Sequence, residues 1–221
     1  MAPLNLSNDE LLSTTRAVRK RLDFDRPVER EVLEDCLQLA MQAPSGSNAQ
    51  GWQFLFVTDR AKIQAIGDVY QELFKGYAAS PMAASAQHAD DPAMAQTQQR
   101  VMSSAQYLAD NMHRVPVLFL PCHMGRTDHL SGEGSNAAVA STMGSIIPAA
   151  WSFMLAARSR GLGTCWTTIH LMQERKIAEI LGIPYDEVTQ IALIPVAYTK
   201  GTDFKPAPRK SMDGILHYDT W

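Results

Sequence analysis

The sequence is poor in cysteine and carries no pattern that would pair the cysteines it has. Its 221 residues include three, Cys36, Cys122 and Cys165, which is an odd number at wide spacing. The chain also opens without a basic segment followed by an apolar core, so we expect neither a signal peptide nor a disulfide framework. A reducing, cytoplasmic location is the expectation that follows.

An excess of charge of one sign is lacking as well. The 20 basic and 23 acidic side chains give a formal net charge of -3, whereas proteins that bind phosphate backbones normally show a clustered basic surface. Neither a G-x-G-x-x-G nor a P-loop sequence is present, and the G-L-G at residues 161–163 follows a helical pattern rather than a strand. Dedicated nucleic-acid binding and a dinucleotide-type fold are therefore not expected.

Charged residues are missing altogether from residues 137–157, a stretch long enough to cross a bilayer. Serine, threonine, glycine and proline residues dilute its apolar character. Ile147, Trp151, Met154 and Leu155 form an apolar ridge at helical spacing. We therefore predict a helix buried in protein and no membrane span.

Periodicity predicts long helices and few strands. Ser7 and Glu10 form a capping-box pattern ahead of a first helix that runs to about Thr15, and Asp59 can cap another. Further helices are predicted from Pro27 to Pro44, over 137–157 and over 173–181, and strands over 52–58, 115–121, 164–169 and 191–198. Because strict βαβ alternation is missing, this order predicts a single α+β domain over residues 1–221.

Two segments are harder to assign from pattern. Between residues 76 and 98, small and polar residues dominate, so little apolar area offsets the entropy of ordering. We interpret this segment either as a mobile substrate lid or as a surface excursion without function. The tail over residues 200–221 ends in I-L-H-Y-D-T-W, which is too apolar for free solvent, and a second subunit is the obvious surface for it.

Small residues and cations together suggest a phosphate ligand. The loop A-P-S-G-S-N-A-Q-G-W over residues 43–52 offers backbone N–H groups with little side-chain bulk, although a plain connection has the same composition. Arg16 and Arg19 are three residues apart and project to one side. A second basic cluster lies among the prolines of the tail and consists of Lys205, Arg209 and Lys210. Either cluster alone is typical of a solvated basic turn.

Four motifs occur together: R-A-V-R at residues 16–19, the 43–52 loop, G-L-G-T-C-W-T-T at 161–168 and the basic tail closing on H-Y-D-T-W. In this order and spacing they resemble the nitroreductase family of FMN-dependent oxidoreductases over nearly the whole chain. The resemblance implies an α+β fold with helices around a small, mostly antiparallel central sheet. It also implies a homodimer with two FMN molecules at the subunit interface, where the C-terminal extension over about 205–221 embraces the partner.

The resemblance also assigns residues to the cofactor. Phosphate and ribityl contacts correspond to Arg16, Ala17 and Arg19, and a late phosphate contact corresponds to Arg209; whether Lys205 or Lys210 joins it is left open. The loop residues expected to cross the interface and line the partner's flavin are Pro44, Ser45, Gly46 and Asn48. The backbone N–H groups expected at flavin N5 and O4 belong to Thr167, Thr168 and Ile169.

The implied mechanism is a ping-pong cycle in which NAD(P)H reduces FMN and the flavin then reduces a nitroaromatic or quinone acceptor. No catalytic acid, base or nucleophile is expected from the protein. His170 could assist a proton transfer, but a histidine beside an apolar strand is usually structural. Cys122, His123 and His129 match no zinc spacing, so no metal site is predicted. The alternative function is a flavin-binding protein that sequesters or remodels FMN without nicotinamide turnover.

Overall fold

Residues 3–87, 91–209 and 211–221 are described by the structure, a computed structural model. Its helices are α1 (Asn8–Thr14), α2 (Arg30–Ala40), α3 (Arg60–Ala78), α4 (Pro92–Asn111), α5 (Ser135–Ser159) and α6 (Glu174–Leu181). Its strands are β1 (Trp52–Val57), β2 (Val117–Met124), β3 (Leu162–Thr164), β4 (Val188–Gln190) and β5 (Ile194–Tyr198).

One antiparallel sheet runs through the middle of the fold. Its strands lie in the order β1, β2, β5 and β3, and β4 pairs with the end of β2. Side chains of β2 alternate between two cores: Leu118 and Leu120 pack with α3, α4 and α6, whereas Val117 and Phe119 pack with α2 and α5. Helices therefore cover both faces of the sheet, which confirms the predicted α+β class with a small antiparallel sheet.

Local signals set several helix ends as predicted. Ser7 and Glu10 form the capping box ahead of α1, and the Asp59 side chain accepts from a backbone N–H in the first turn of α3. Gly182 ends α6 in the left-handed conformation at φ +73°, where a side chain would be strained. These ends were predictable because each depends on residues a few positions apart.

The predicted strand over 164–169 is wrong in its bounds. Strand β3 ends at Thr164, because the next position of its ladder with β5 falls on Pro195, which has no N–H to donate. Residues Ile169–Gln173 form a short 3-10 turn instead. The predicted strand over 191–198 is shorter than expected, because β5 begins only at Ile194. A separate strand, β4, precedes the predicted range and pairs with the other end of β2.

The segment over 76–98 is more regular than its composition indicates. Helix α3 continues into it as far as Ala78, a short 3-10 turn follows at Ala84–Ala86, and α4 begins at Pro92. A proline in the first turn of a helix loses no internal hydrogen bond, so it favours a start there. Residues 88–90 belong to the same segment and lie outside the described part of the chain.

Helix α5 is only partly covered by its own chain. It is long and apolar enough to span a membrane by length and composition, and 33% of its most apolar stretch is buried. Met154 is buried, but Ile147 and Trp151 remain 40% and 39% exposed. The predicted burial therefore holds for one face of the helix only, because the apolar ridge is divided between the core and an open face.

Candidate functional site

The arginine segment, residues 16–19, is fixed to the end of strand β3. Val18 donates its backbone N–H to the carbonyl of Thr164 at 2.8 Å. Gly163 permits this close approach, since a Cβ at that position would lie 2.9 Å from Val18 Cγ1 and 2.7 Å from Thr199 Cγ2. The backbone of the arginine segment therefore lies along β3, at one edge of the sheet.

The basic regions of the two chain ends meet in the fold. Arg16 donates to the backbone carbonyl of Lys205 at 3.1 Å. Arg21 donates to the carbonyl of Lys200 and to the carboxylate of Asp203, which fixes the start of the tail against the same segment. The backbone at the start of the tail therefore lies against residues that adjoin or belong to the arginine segment, although the two are up to 189 positions apart in the sequence.

Two other residues predicted near the phosphate have no such contact. Arg209 is exposed, and its side chain donates to the carbonyl of the neighbouring Pro208. Lys210 lies outside the described residues. Ala17 is exposed beside its backbone bridge to Thr164. The assignment of Arg209 and Ala17 to the cofactor stays a prediction, and whether Lys210 joins them stays open.

A cavity of about 720 Å³ opens beside the arginine segment. Its size falls within the roughly 300–1,000 Å³ typical of small-molecule and cofactor sites. Arg19 lies in its wall, and so do three residues from beyond the end of β3: Thr167, Thr168 and Ile169. Four predicted site residues that are far apart in the sequence are therefore brought together. The rest of the wall is largely aromatic and apolar.

Helix α3 provides the aromatic side of this cavity. Tyr70, Phe74 and Tyr77 recur at helical spacing and line it together. Burial raises the pKa of Tyr70, so its phenol is neutral at physiological pH. The hydroxyl of Tyr77 accepts from the backbone N–H of Ala84 at 2.9 Å and holds the adjoining turn beside the cavity. From the sequence the first two resemble ordinary core residues, because periodicity cannot distinguish a cavity wall from a core.

Five residues of the 76–98 segment also line the cavity: Gly76, Tyr77, Ser80, Met82 and Ala84. This part of the segment therefore lies beside the cavity and not only on the outer surface. Helix α4, which follows it, forms the opposite wall with Val101 and Ala105. Whether the segment closes over a bound substrate stays a prediction.

The small-residue loop over 43–52 lies elsewhere on the same chain. Gly46 donates its backbone N–H to Ser145 Oγ at 2.9 Å, and Trp52 Nε1 donates to the carbonyl of Ser145 at 2.8 Å, so the loop is fixed to α5. The cavity of the same chain is lined by none of the predicted loop residues Pro44, Ser45, Gly46 and Asn48. One chain alone therefore does not unite the two predicted parts of the flavin site.

His170, Cys36 and Cys122, which could titrate, are buried away from the cavity wall. His170 is fully buried, and neither ring nitrogen has a hydrogen-bond partner among the described residues. Burial lowers the pKa of His170 to about 3, so the ring is neutral at physiological pH and is no proton donor. Burial raises the pKa of the Cys36 thiol to about 11 and that of Cys122 to about 12. In the described ranges, no three His, Cys, Asp or Glu side chains converge on a metal position.

Comparison with known proteins connects this chain to one family. A model of the Nitroreductase family matches residues 12–198. A relative from Archaeoglobus fulgidus is 25% identical over 218 residues. Its assigned activity, inferred and not measured, is that of an NADH dehydrogenase/NAD(P)H nitroreductase. That match covers 96% of this chain and 97% of the relative.

Solved structures share the fold at low sequence identity. Iodotyrosine deiodinase bound to FMN and 3-iodo-L-tyrosine is 23% identical, with a TM-score of 0.67 over 96% of this chain and 98% of that one. The FMN and NADPH-dependent nitroreductase NfnB from sphigopyxis sp. strain HMH is 22% identical, with a TM-score of 0.61 over 98% of this chain and 100% of that one.

Proposed function

The chain belongs to the nitroreductase family, and we propose that it is an FMN-dependent oxidoreductase driven by NAD(P)H. When bound, FMN would supply the redox chemistry between NAD(P)H and a small acceptor such as a nitroaromatic or quinone, and we propose a ping-pong cycle. Two solved structures that share its fold support this proposal: the deiodinase is bound to FMN, and NfnB is an FMN and NADPH-dependent nitroreductase.

The residues present fit such a cofactor. The cavity offers an apolar, aromatic wall suited to a flat ring system, and Arg19 provides a cation within the same wall. Arg16 lies beside the backbone of Lys205, where a phosphate would gain charge-assisted hydrogen bonds. We therefore assign the phosphate end to the two arginines and the ring end to the wall formed by Thr167, Thr168 and Ile169.

In this proposal the protein chain positions the cofactor and stabilises the negative charge that develops on it. In a 3-10 turn the first N–H groups have no acceptor within the turn, so those at the start of Ile169–Gln173 are candidate donors to developing negative charge. Tyr70 is a neutral hydrogen-bonding group in the cavity wall, and the surrounding apolar side chains exclude water. No acid, base or nucleophile from the protein is required.

One observation carries this proposal: Arg19 and Thr167–Ile169, separated by about 150 residues in a sequence of 221, line a single cavity. Its test is to mix the flavin-loaded protein anaerobically with NADPH or NADH in a stopped-flow instrument. We expect at least one donor to bleach the oxidised flavin absorbance, and a subsequent aromatic acceptor to restore it. Flavin that stays oxidised with both donors would instead support the alternative, a protein that sequesters or remodels FMN.

We also propose that the protein is a homodimer in which each small-residue loop reaches the partner's flavin. The support is the open apolar face of α5, with Ile147 and Trp151 about 40% exposed, next to the loop that Ser145 fixes. The tail adds further exposed apolar side chains, of which Tyr218 and Trp221 are 78% and 102% exposed. A second copy would cover these surfaces without requiring a membrane.

If the protein is a dimer, its mass in solution should be twice that of one chain, and a substitution in the interface should lower it. Detergent-free light scattering should give twice the chain mass of 24.4 kDa, and Trp151→Asp should shift the protein toward the monomer and reduce its bound FMN, because a carboxylate would be buried unpaired. The matched control is Leu12→Asp on α1, also exposed, which should leave mass and flavin content unchanged. A monomeric wild-type protein with full flavin occupancy would contradict this arrangement.

A further inference from the structure

Two neighbouring serines of helix α4 contact Arg19, at the end of the arginine segment, and Lys20, the residue that follows it. Ser104 Oγ accepts from Arg19 Nη1 at 3.2 Å, and Ser103 Oγ accepts from Lys20 Nζ at 2.9 Å. The first pair is partly buried, whereas the second is exposed. Only Arg19 of these four residues is part of the cavity wall.

The orientation of the Ser104 hydroxyl is fixed by its own helix. It donates its hydrogen to the carbonyl of Val101 at 2.8 Å, one turn earlier in α4. Its lone pairs are therefore left for the guanidinium of Arg19, and the group acts as an acceptor rather than a freely rotating hydroxyl. Val101 and Ala105, on either side of Ser104 in the sequence, both line the cavity. The contact thus joins the α4 wall to the cation that faces the ligand.

We propose that Ser104 is a positioning residue of the cofactor site: it holds Arg19 against the cavity and couples FMN binding to the placement of helix α4. The inference rests on the proposed function, since it takes FMN as the ligand of Arg19. An arginine that is already held in place loses less side-chain entropy when the ligand binds. Because coupling between two equilibria is reciprocal, a ligand on Arg19 also stabilises the α4 wall.

The experiment compares FMN affinities of the flavin-free protein by fluorescence quenching. Ser104→Ala is expected to raise the Kd for FMN about three- to tenfold, the range for losing one half-exposed hydrogen bond to a charged group. Ser104→Thr keeps a hydroxyl and should restore most of the affinity. Ser103→Ala is the matched control, because its partner Lys20 does not line the cavity, and its Kd should stay within about twofold of wild type.

Two further measurements separate positioning from a general loss of stability. In an Arg19→Ala background, Ser104→Ala should cause no additional loss of FMN affinity, since the residue acts through the arginine. In the wild type, FMN should slow amide hydrogen exchange in residues 101–108, and this protection should be smaller in Ser104→Ala. Alanine is the better helix former, so the variant is expected to fold.

The outcomes are distinguishable. A wild-type Kd for Ser104→Ala, or a loss of affinity that persists unchanged in the Arg19→Ala background, would overturn the role of Ser104 while leaving the oxidoreductase proposal intact. A wild-type protein that does not bind FMN would overturn the proposed function itself, and this inference with it.

Discussion

Replacing Arg19 with glutamate is expected to strip FMN from the purified protein. Arg19 lies in the wall of the cavity that residues 167–169 also line, so its guanidinium is a cation within the proposed cofactor site. The substitution removes a charge-assisted hydrogen bond and places a carboxylate against the phosphate or ribityl end of the ligand. A loss of about 3 kcal/mol or more follows, which corresponds to a Kd at least about 100-fold higher.

The control for Arg19→Glu is the next residue in the sequence. Lys20→Glu makes the same change of charge, but Lys20 is exposed, contacts Ser103 and does not line the cavity. We expect its flavin-to-protein absorbance ratio to remain near that of the wild type, because exposed charges are screened by salt. Full flavin occupancy in Arg19→Glu would remove Arg19 from the cofactor site. The same substitution at Arg209 tests whether the tail also reaches the phosphate.

Acidification is expected to destabilise the protein through His170. The unfolded chain binds a proton on this side chain below about pH 6.5, whereas the folded protein keeps it neutral down to about pH 3. Between these values the unfolded state binds one more proton, so the free energy of unfolding falls by about 1.4 kcal/mol for each pH unit lost. This penalty is absent above pH 6.5 and grows as the pH falls.

The measurement is urea unfolding of wild type and His170→Leu at pH 7 and pH 4.5. Leucine is apolar and of similar size, and it leaves no unpaired ring nitrogen in the core. We expect the variant to lose about 2–3 kcal/mol less than the wild type between the two pH values. His129→Leu is the comparison for the same change of residue type at a surface position, since the His129 side chain is 69% exposed. Parallel pH profiles for wild type and His170→Leu would show that His170 is not the group responsible.

Short motifs predicted four residues that the fold brings to one cavity. Arg16, Arg19 and Thr167–Ile169 belong to segments whose residue types and order carry the family resemblance, and the fold places Arg19 with the latter three. The end of strand β3, by contrast, could not be predicted from the β-propensity of its residues. Thr164 to Ile169 is rich in β-formers, yet its ladder stops where Pro195 on another strand cannot donate.

The far wall of the cavity was not visible in the sequence. Tyr70 and Phe74 have the spacing of a core-facing helix, and the segment after Gly76 has the composition of a loop. Only the packing of α3 against α4 leaves a space between them and makes these residues its lining. Ser104, an ordinary polar residue in the sequence, acquires its contact with Arg19 across 85 positions of the chain.

The sequence by itself determined the family, the α+β class and the helix caps, because these depend on local patterns and on motifs that keep their order along the chain. The tertiary structure decided which of those motifs meet. It joined the arginine segment to the end of β3 through the close approach that Gly163 allows, and it separated the 43–52 loop from the cavity of its own chain. The physical reason is that contacts between distant segments depend on steric fit and on available hydrogen-bond partners, which no single segment encodes.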